Sequence, residues 1–285
     1  MPMPTHPRRV PRRRCVRQTL TLLATAAVTT LTAVVGLGST AGGAGTAESA
    51  GANPTWVGYF FPLKVGWTCH ESLSGGAATG DETLTISAVA PVSRGRSVTV
   101  DEGSSSTVGT TSVPTNAALH YILTKRGQLI SVPSGLQVAG QPYSIIGDTT
   151  YPSVKSLLSG GSSVSHLHFA ALLSPADRAE LQGVLPAKAT SLDMAVDVAQ
   201  RGGSLETLQT PLGTFHHVLV VHSVAKSIAF TNIGKAASKE LAGAILPTIS
   251  KELSATVWYA PGVGPIKNLA DGFISTITSC GPAAG

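Results

Sequence analysis

Histidine is the residue type whose spacing offers the most chemistry in this chain. His166 and His168 are two apart, so on a strand they share a face; His216 and His222 share a face with each other, and His217 lies opposite. If the strands carrying them were neighbours, three or four imidazoles could meet and hold a transition metal. No Asp or Glu stands beside them in sequence to orient the rings, so no metal site is assigned and no cofactor is called for. Covalent catalysis finds even less: no G-x-S-x-G elbow occurs, and Asp101 and Glu102, being adjacent, point to opposite faces of a strand. Ser159-Gly160-Gly161-Ser162 is a loop by composition, without the strand and helix of a phosphate-binding turn. The chain therefore reads as non-enzymatic.

The cysteines are more telling. Cys15 lies among six arginines (8, 9, 12, 13, 14 and 17) that precede an uncharged run from Gln18 to Thr46, with an apolar centre from Leu20 to Leu37. A basic stretch followed by an apolar one and small residues is the pattern of an export signal, assigned here to residues 1–41. Arg12-Arg13-Arg14-Cys15-Val16-Arg17 loosely resembles a twin-arginine signal, and the ordinary secretory route and a retained anchor remain as alternatives. Removing it leaves Cys69 and Cys280 near the two ends of the mature chain, where an oxidising compartment should pair them.

Export also changes the charge. The full chain has 20 Lys and Arg against 15 Asp and Glu, but the signal takes six of the basic residues and none of the acidic ones, leaving 14 against 15. A near-neutral mature protein has no electrostatic case for nucleic acid or for an anionic membrane surface as a whole.

A Gly- and Ala-rich segment at 42–52 is expected to be flexible, and 53–285 to form one β-rich domain. Short alternating or β-branched runs recur, among them Glu82 to Val89, Ala118 to Thr124, Ser191 to Val198, Thr214 to Val224 and Ala255 to Ala260. Turn residues separate them, which is the pattern of an antiparallel sheet or open barrel. Lys125-Arg126-Gly127 and Pro261-Gly262 read as tight turns. Helices are expected after Tyr151-Pro152-Ser153, after Ser174-Pro175, and from about Asn232 to Leu253. The last carries Ile233, Leu241, Ile245 and Ile249 on one apolar stripe, with Pro247 expected to kink or divide it.

Three motifs lie across most of the mature chain: Phe61-Pro62-Leu63-Lys64-Val65-Gly66, Pro211-Leu212-Gly213-Thr214-Phe215, and the corner from Trp258 to Lys267. Their order resembles that of a group of secreted and lipoprotein-type bacterial proteins whose function is unassigned. The group is similar to the half-barrel lipoprotein and lipid carriers of bacterial envelopes. That resemblance implies a mainly β (α+β) fold, a curved antiparallel open barrel with helices on its concave face. The fold likeness carries no function by itself. From the apolar stripe, an apolar, lipid-like ligand is expected between the sheet and the helix from Asn232 to Leu253, with Ile233, Leu241, Ile245 and Ile249 as lid or pocket wall, Trp258 or Tyr259 as a wall at the mouth, and association with the envelope. Trp67-Thr68-Cys69 departs from the group, the usual aromatic being displaced and a cysteine present. The competing expectations are an envelope scaffold without a ligand and histidine-mediated metal binding.

Overall fold

The computed structural model describes residues 54–282 except 76–77, 109–110, 139–140, 181–184, 253 and 271–272. The export signal, the 42–52 segment and Leu253 thus lie outside the described residues.

Fourteen strands form one antiparallel sheet: β1 (Trp67–Gly75), β2 (Ala78–Val92), β3 (Gly95–Val108), β4 (Thr111–Thr124), β5 (Leu129–Val132), β6 (Gly135–Val138), β7 (Gln141–Ile145), β8 (Thr149–Thr150), β9 (Ser162–Leu172), β10 (Ser191–Thr210), β11 (Gly213–Phe230), β12 (Ala255–Ala260), β13 (Gly264–Ala270) and β14 (Phe273–Pro282). Their order is β3-β2-β1-β14-β13-β12-β11-β10-β9-β7-β6-β4-β5-β8, and β3 also pairs with β4. Among the described residues four helices are interspersed: α1 (Trp56–Tyr59), α2 (Val154–Leu158), α3 (Pro175–Glu180) and α4 (Lys235–Glu252).

This topology corrects the expected architecture. What forms is a large antiparallel sheet with few helices, not an open barrel with helices on a concave face. The physical reason lies in the polar stretches read as separators. Gly103 to Thr107 is rich in Ser and Gly, yet it continues the β2–β3–β4 ladder, and Arg201 to Ser204 continues β10 through a register shift. Tertiary pairing overrides local turn preference there, so β10 and β11 reach 20 and 18 residues.

Local rules hold where the turn or cap chemistry is strong. Gly127 and Gly262 take φ of 71° and 70° at the turns after β4 and β12, the left-handed region that a side chain disfavours. Ser153 caps α2, its Oγ accepting from the Ser156 amide at 3.1 Å. At α3 the Ser174 and Asp177 side chains cap reciprocally, the Asp177 carboxylate accepting from the Ser174 amide and the Ser174 Oγ from the Asp177 amide. Pro247 sits inside α4, which is one assigned helix rather than two.

The main core lies on one face of the sheet. Along β10, Leu192, Met194, Val196 and Val198 alternate inward and meet Leu219 and Val221 of β11 and Val257 of β12. An aromatic group closes it: Trp56 of α1 stacks edge-on against Tyr259 at 5.2 Å and Tyr151 at 6.4 Å, and its Nε1 donates to the Pro152 carbonyl at 2.6 Å. A second, smaller cluster forms from Cys69, Val218, Ala260, Val263, Ile266 and Ile277. Cys69 and Cys280 are bridged within it, joining β1 to β14, the expected pairing. Gly202 lies so close to α2 that a Cβ there would strike the Leu157 carbonyl, which is why β10 needs glycine at that point.

Candidate functional site

Five adjacent strands place one residue each in a row across the sheet. Ser162 of β9 stands opposite Arg201 of β10, Arg201 opposite His222 of β11, His222 opposite Thr256 of β12, and Thr256 opposite Leu269 of β13. The row floors a cleft of about 990 Å³. Two residues along, Val164, Ala199 and Val224 form a second, apolar row in the same register. Ala255 adds to the apolar lining, Lys226 and Ser254 to the polar lining.

Electrostatically, the cleft is basic at its floor and apolar at its side. His222 shares a hydrogen bond between Nδ1 and Thr256 Oγ1 at 3.0 Å, and burial, with the Arg201 guanidinium second, lowers its pKa below the ordinary histidine value. It is therefore neutral at pH 7, and the charge of the cleft comes from Arg201 and Lys226. The nearby acids are occupied elsewhere: Glu206 accepts from Trp258 Nε1 at 3.1 Å, and Asp197 accepts from Ser227 Oγ at 2.6 Å and pairs with His166 at 2.7 Å. Those hydrogen bonds, Ser227 first and His166 second, hold the Asp197 carboxyl below its usual range. Beneath the floor, on the core face, Gln200 links Ser165 at 3.0 Å to Ser223 at 3.5 Å, so buried polar groups brace the strands that present the row.

The histidines do not converge. β10 lies between β9 and β11, so His166 and His168 are not neighbours of His216 and His222. His166 instead pairs with Asp197, and His216 meets Thr207 Oγ1 at 3.1 Å. Among the described residues no group of three His, Cys, Asp or Glu is placed to hold a metal, and the chain carries no catalytic signature there. Histidine-mediated metal binding thus loses its geometric basis.

The expected ligand wall is divided. Tyr259 is buried in the aromatic core, its hydroxyl pKa raised by burial. Trp258 points to the other face, packs with the disulfide cluster and has the Lys267 ammonium 5.0 Å from its ring centroid. Leu241 of α4 and Ile233, two residues before it, are half-buried and packed against the main core. Ile245 and Ile249 lie on the same helix, but their side chains fall outside the described residues. α4 borders the cleft: Ser250 Oγ donates to the Ala225 carbonyl at 3.2 Å, between Val224 and Lys226, and the chain enters the cleft at Ser254 just after the helix ends.

Sequence reasoning missed a row of acids on the core face. Glu71 of β1 stands directly opposite Glu82 of β2, and Glu102 of β3 stands opposite Leu84, two residues further along. Glu71 and Glu102 are buried and Glu82 is half-buried. Burial pushes the Glu82 carboxyl up to about 7, and burial together with the Glu82 charge raises Glu102 well above the usual range. Tyr121 of β4, its own pKa raised by burial, feels the Glu102 charge as well as those of Tyr151 and Tyr259. The alternation Cys69, Glu71 and Glu82, Leu84 was the available signal, because each glutamate falls in phase with an apolar residue.

Comparison with known proteins gives a likeness of fold. One similar structure is a candidate lipoprotein from Parabacteroides distasonis, 14% identical, with TM-score 0.44, covering 78% of this chain and 98% of that one. Another is a candidate exported protein with a YmcC-like fold from Bacteroides fragilis, 13% identical, with TM-score 0.46, covering 79% of this chain and 99% of that one. No family model and no curated protein matches the chain. Among the described residues no helix is long and apolar enough to cross a membrane.

Proposed function

We propose that this is an exported, non-enzymatic protein of the bacterial envelope that binds an apolar, lipid-like ligand in the cleft beside α4. The carrying observation is the cleft itself: its volume, about 990 Å³, is that of a small-molecule site, and Ala199, Val224, Ala255 and Leu269 give it an apolar side. The export signal and the Cys69–Cys280 bridge support the extracytoplasmic setting, since such bridges persist where the environment is oxidising. Exposed Val164, Ile274 and Phe273 extend the apolar surface past the rim and suit contact with an amphiphile or the envelope surface.

In this reading α4 gates the cleft. Leu241 holds the helix to the core from a half-exposed position, Ile233 packs against the core just before the helix begins, and Trp258 and Tyr259 belong to the strand that forms the far side. Serine at Leu241 and Ile245 should reduce uptake of a fluorescent fatty acyl probe at least tenfold while the β-sheet circular dichroism signal persists. Loss of fold and uptake together would make α4 a plain core helix. No uptake by the delipidated wild-type protein would leave the scaffold reading in its place.

A further inference from the structure

We infer that the cleft selects an anionic amphiphile: Arg201 and Lys226 hold a carboxylate or phosphate headgroup, and the apolar row takes its chain. This rests on the ligand-binding reading above and goes on to name the ligand's charge and orientation.

The headgroup end follows from which charges are already taken. Arg201 and Lys226 line the cleft, and among the described residues neither is joined in an ion pair; Arg94 pairs with Asp148 instead. Of the nearby acids, Asp197 is held by Ser227 and His166, and Glu206 accepts from Trp258 Nε1 and keeps its charge, one carboxylate against two cations. Two cations lining one cleft are favourable partners for an anion, and Arg can present a paired set of donors to a carboxylate or phosphate. The hydroxyls of Ser162 and Ser254 line the same space and add neutral donors. His222 is neutral near pH 7, tied to Thr256, and acts as a floor rather than as a third charge.

The tail end follows from register. Val164, Ala199 and Val224 lie in one row, and Leu269 is opposite Ile274 on β14. Val164, Leu269 and Ile274 are exposed despite their size. An acyl chain laid along that face would remove them from water at about 25 cal/mol per Å². A free inorganic anion would leave this surface uncovered, and a neutral lipid would leave the two cations without a partner, so the occupant that satisfies both is a single molecule with one anionic end.

The test uses a matched pair of probes, dansyl-undecanoic acid and its methyl ester, titrated into delipidated protein below the concentration at which either aggregates. The wild-type protein should bind the acid about tenfold more tightly than the ester, the yield of a charge-assisted pair. In the Arg201→Gln/Lys226→Gln variant that ratio should fall to about one. Equal binding of acid and ester by the wild type, or a ratio unchanged in the variant, would overturn the headgroup assignment and leave the ligand-binding reading standing. Binding of neither probe would overturn both. Binding to phosphatidylglycerol vesicles but not to the monomeric acid would assign the surface to a bilayer and also overturn the inference.

Discussion

Replacing Cys69 and Cys280 together with serine should lower the unfolding free energy by about 2–5 kcal/mol, the largest effect expected of any change at two positions. The bridge joins residues 211 apart, and in the chain-entropy model closing a loop of that length is worth roughly 5 kcal/mol, measured bridges typically giving less. Its position adds a packing component. Cys69 is fully buried among Val218, Ile266 and Ile277, so serine also places hydroxyls in an apolar cluster. Denaturant unfolding of the wild type with and without reductant, and of the double variant, separates the two: reduction removes the constraint and the variant removes both. Equal stability of the oxidised protein and the double variant would contradict the account of what ties β1 to β14.

The second large effect is on pH dependence. Glu82 is raised from its ordinary 4.5 to about 7 and Glu102 is raised well above the same ordinary value, both chiefly by burial. The folded state thus binds protons that the unfolded chain has released, and by linkage the stability from these groups is fully present below about pH 4.5 and lost as pH rises through about 7. The cost between pH 5 and pH 8 should be about 1–3 kcal/mol, discounted for solvent screening at half-buried Glu82. Glu102→Gln should flatten the profile, because the amide is neutral throughout and removes the proton-linked contribution of Glu102 itself. Urea midpoints across that range provide the measurement. A wild-type protein that becomes more stable from pH 5 to pH 8, or a variant whose profile runs parallel to it, would show that the acids are solvated rather than buried.

These two effects differ in how far the residues announced them. The disulfide was legible because export leaves two cysteines and an oxidising compartment leaves them one partner each. The Trp258 corner was legible too, since period-two alternation sends Val257 and Tyr259 to the main core and Trp258 to the opposite cluster. Caps at Ser153 and Ser174 rest on local chemistry, and they formed where local chemistry put them. The sheet was harder. Its long strands run through Gly- and Ser-rich stretches whose turn preference is real but weaker than two ladders of backbone hydrogen bonds, so separate short runs and an open barrel were expected where β2, β3, β4, β10 and β11 run on as long strands of one large sheet.

The candidate site depended on information absent from any local pattern. Ser162, Arg201, His222, Thr256 and Leu269 are separated in sequence and meet because β9 to β13 lie side by side in a particular register. The same strand order separates the histidines that spacing alone had brought together. α4 was found as a helix with an apolar stripe, but its relation to the cleft follows from the Ser250 to Ala225 hydrogen bond, a tertiary contact. Ile233 and Leu241, expected as lid or pocket wall, pack against the main core from half-buried positions.

Mass spectrometry of the organic extract from protein purified out of its native envelope, without detergent, tests the central claim most directly. The account predicts close to one molecule of a single-chain or other anionic amphiphile per chain, lost when Arg201 and Lys226 are replaced by glutamine. An extract free of lipid, from a protein that also takes up no acyl probe in vitro, would contradict it.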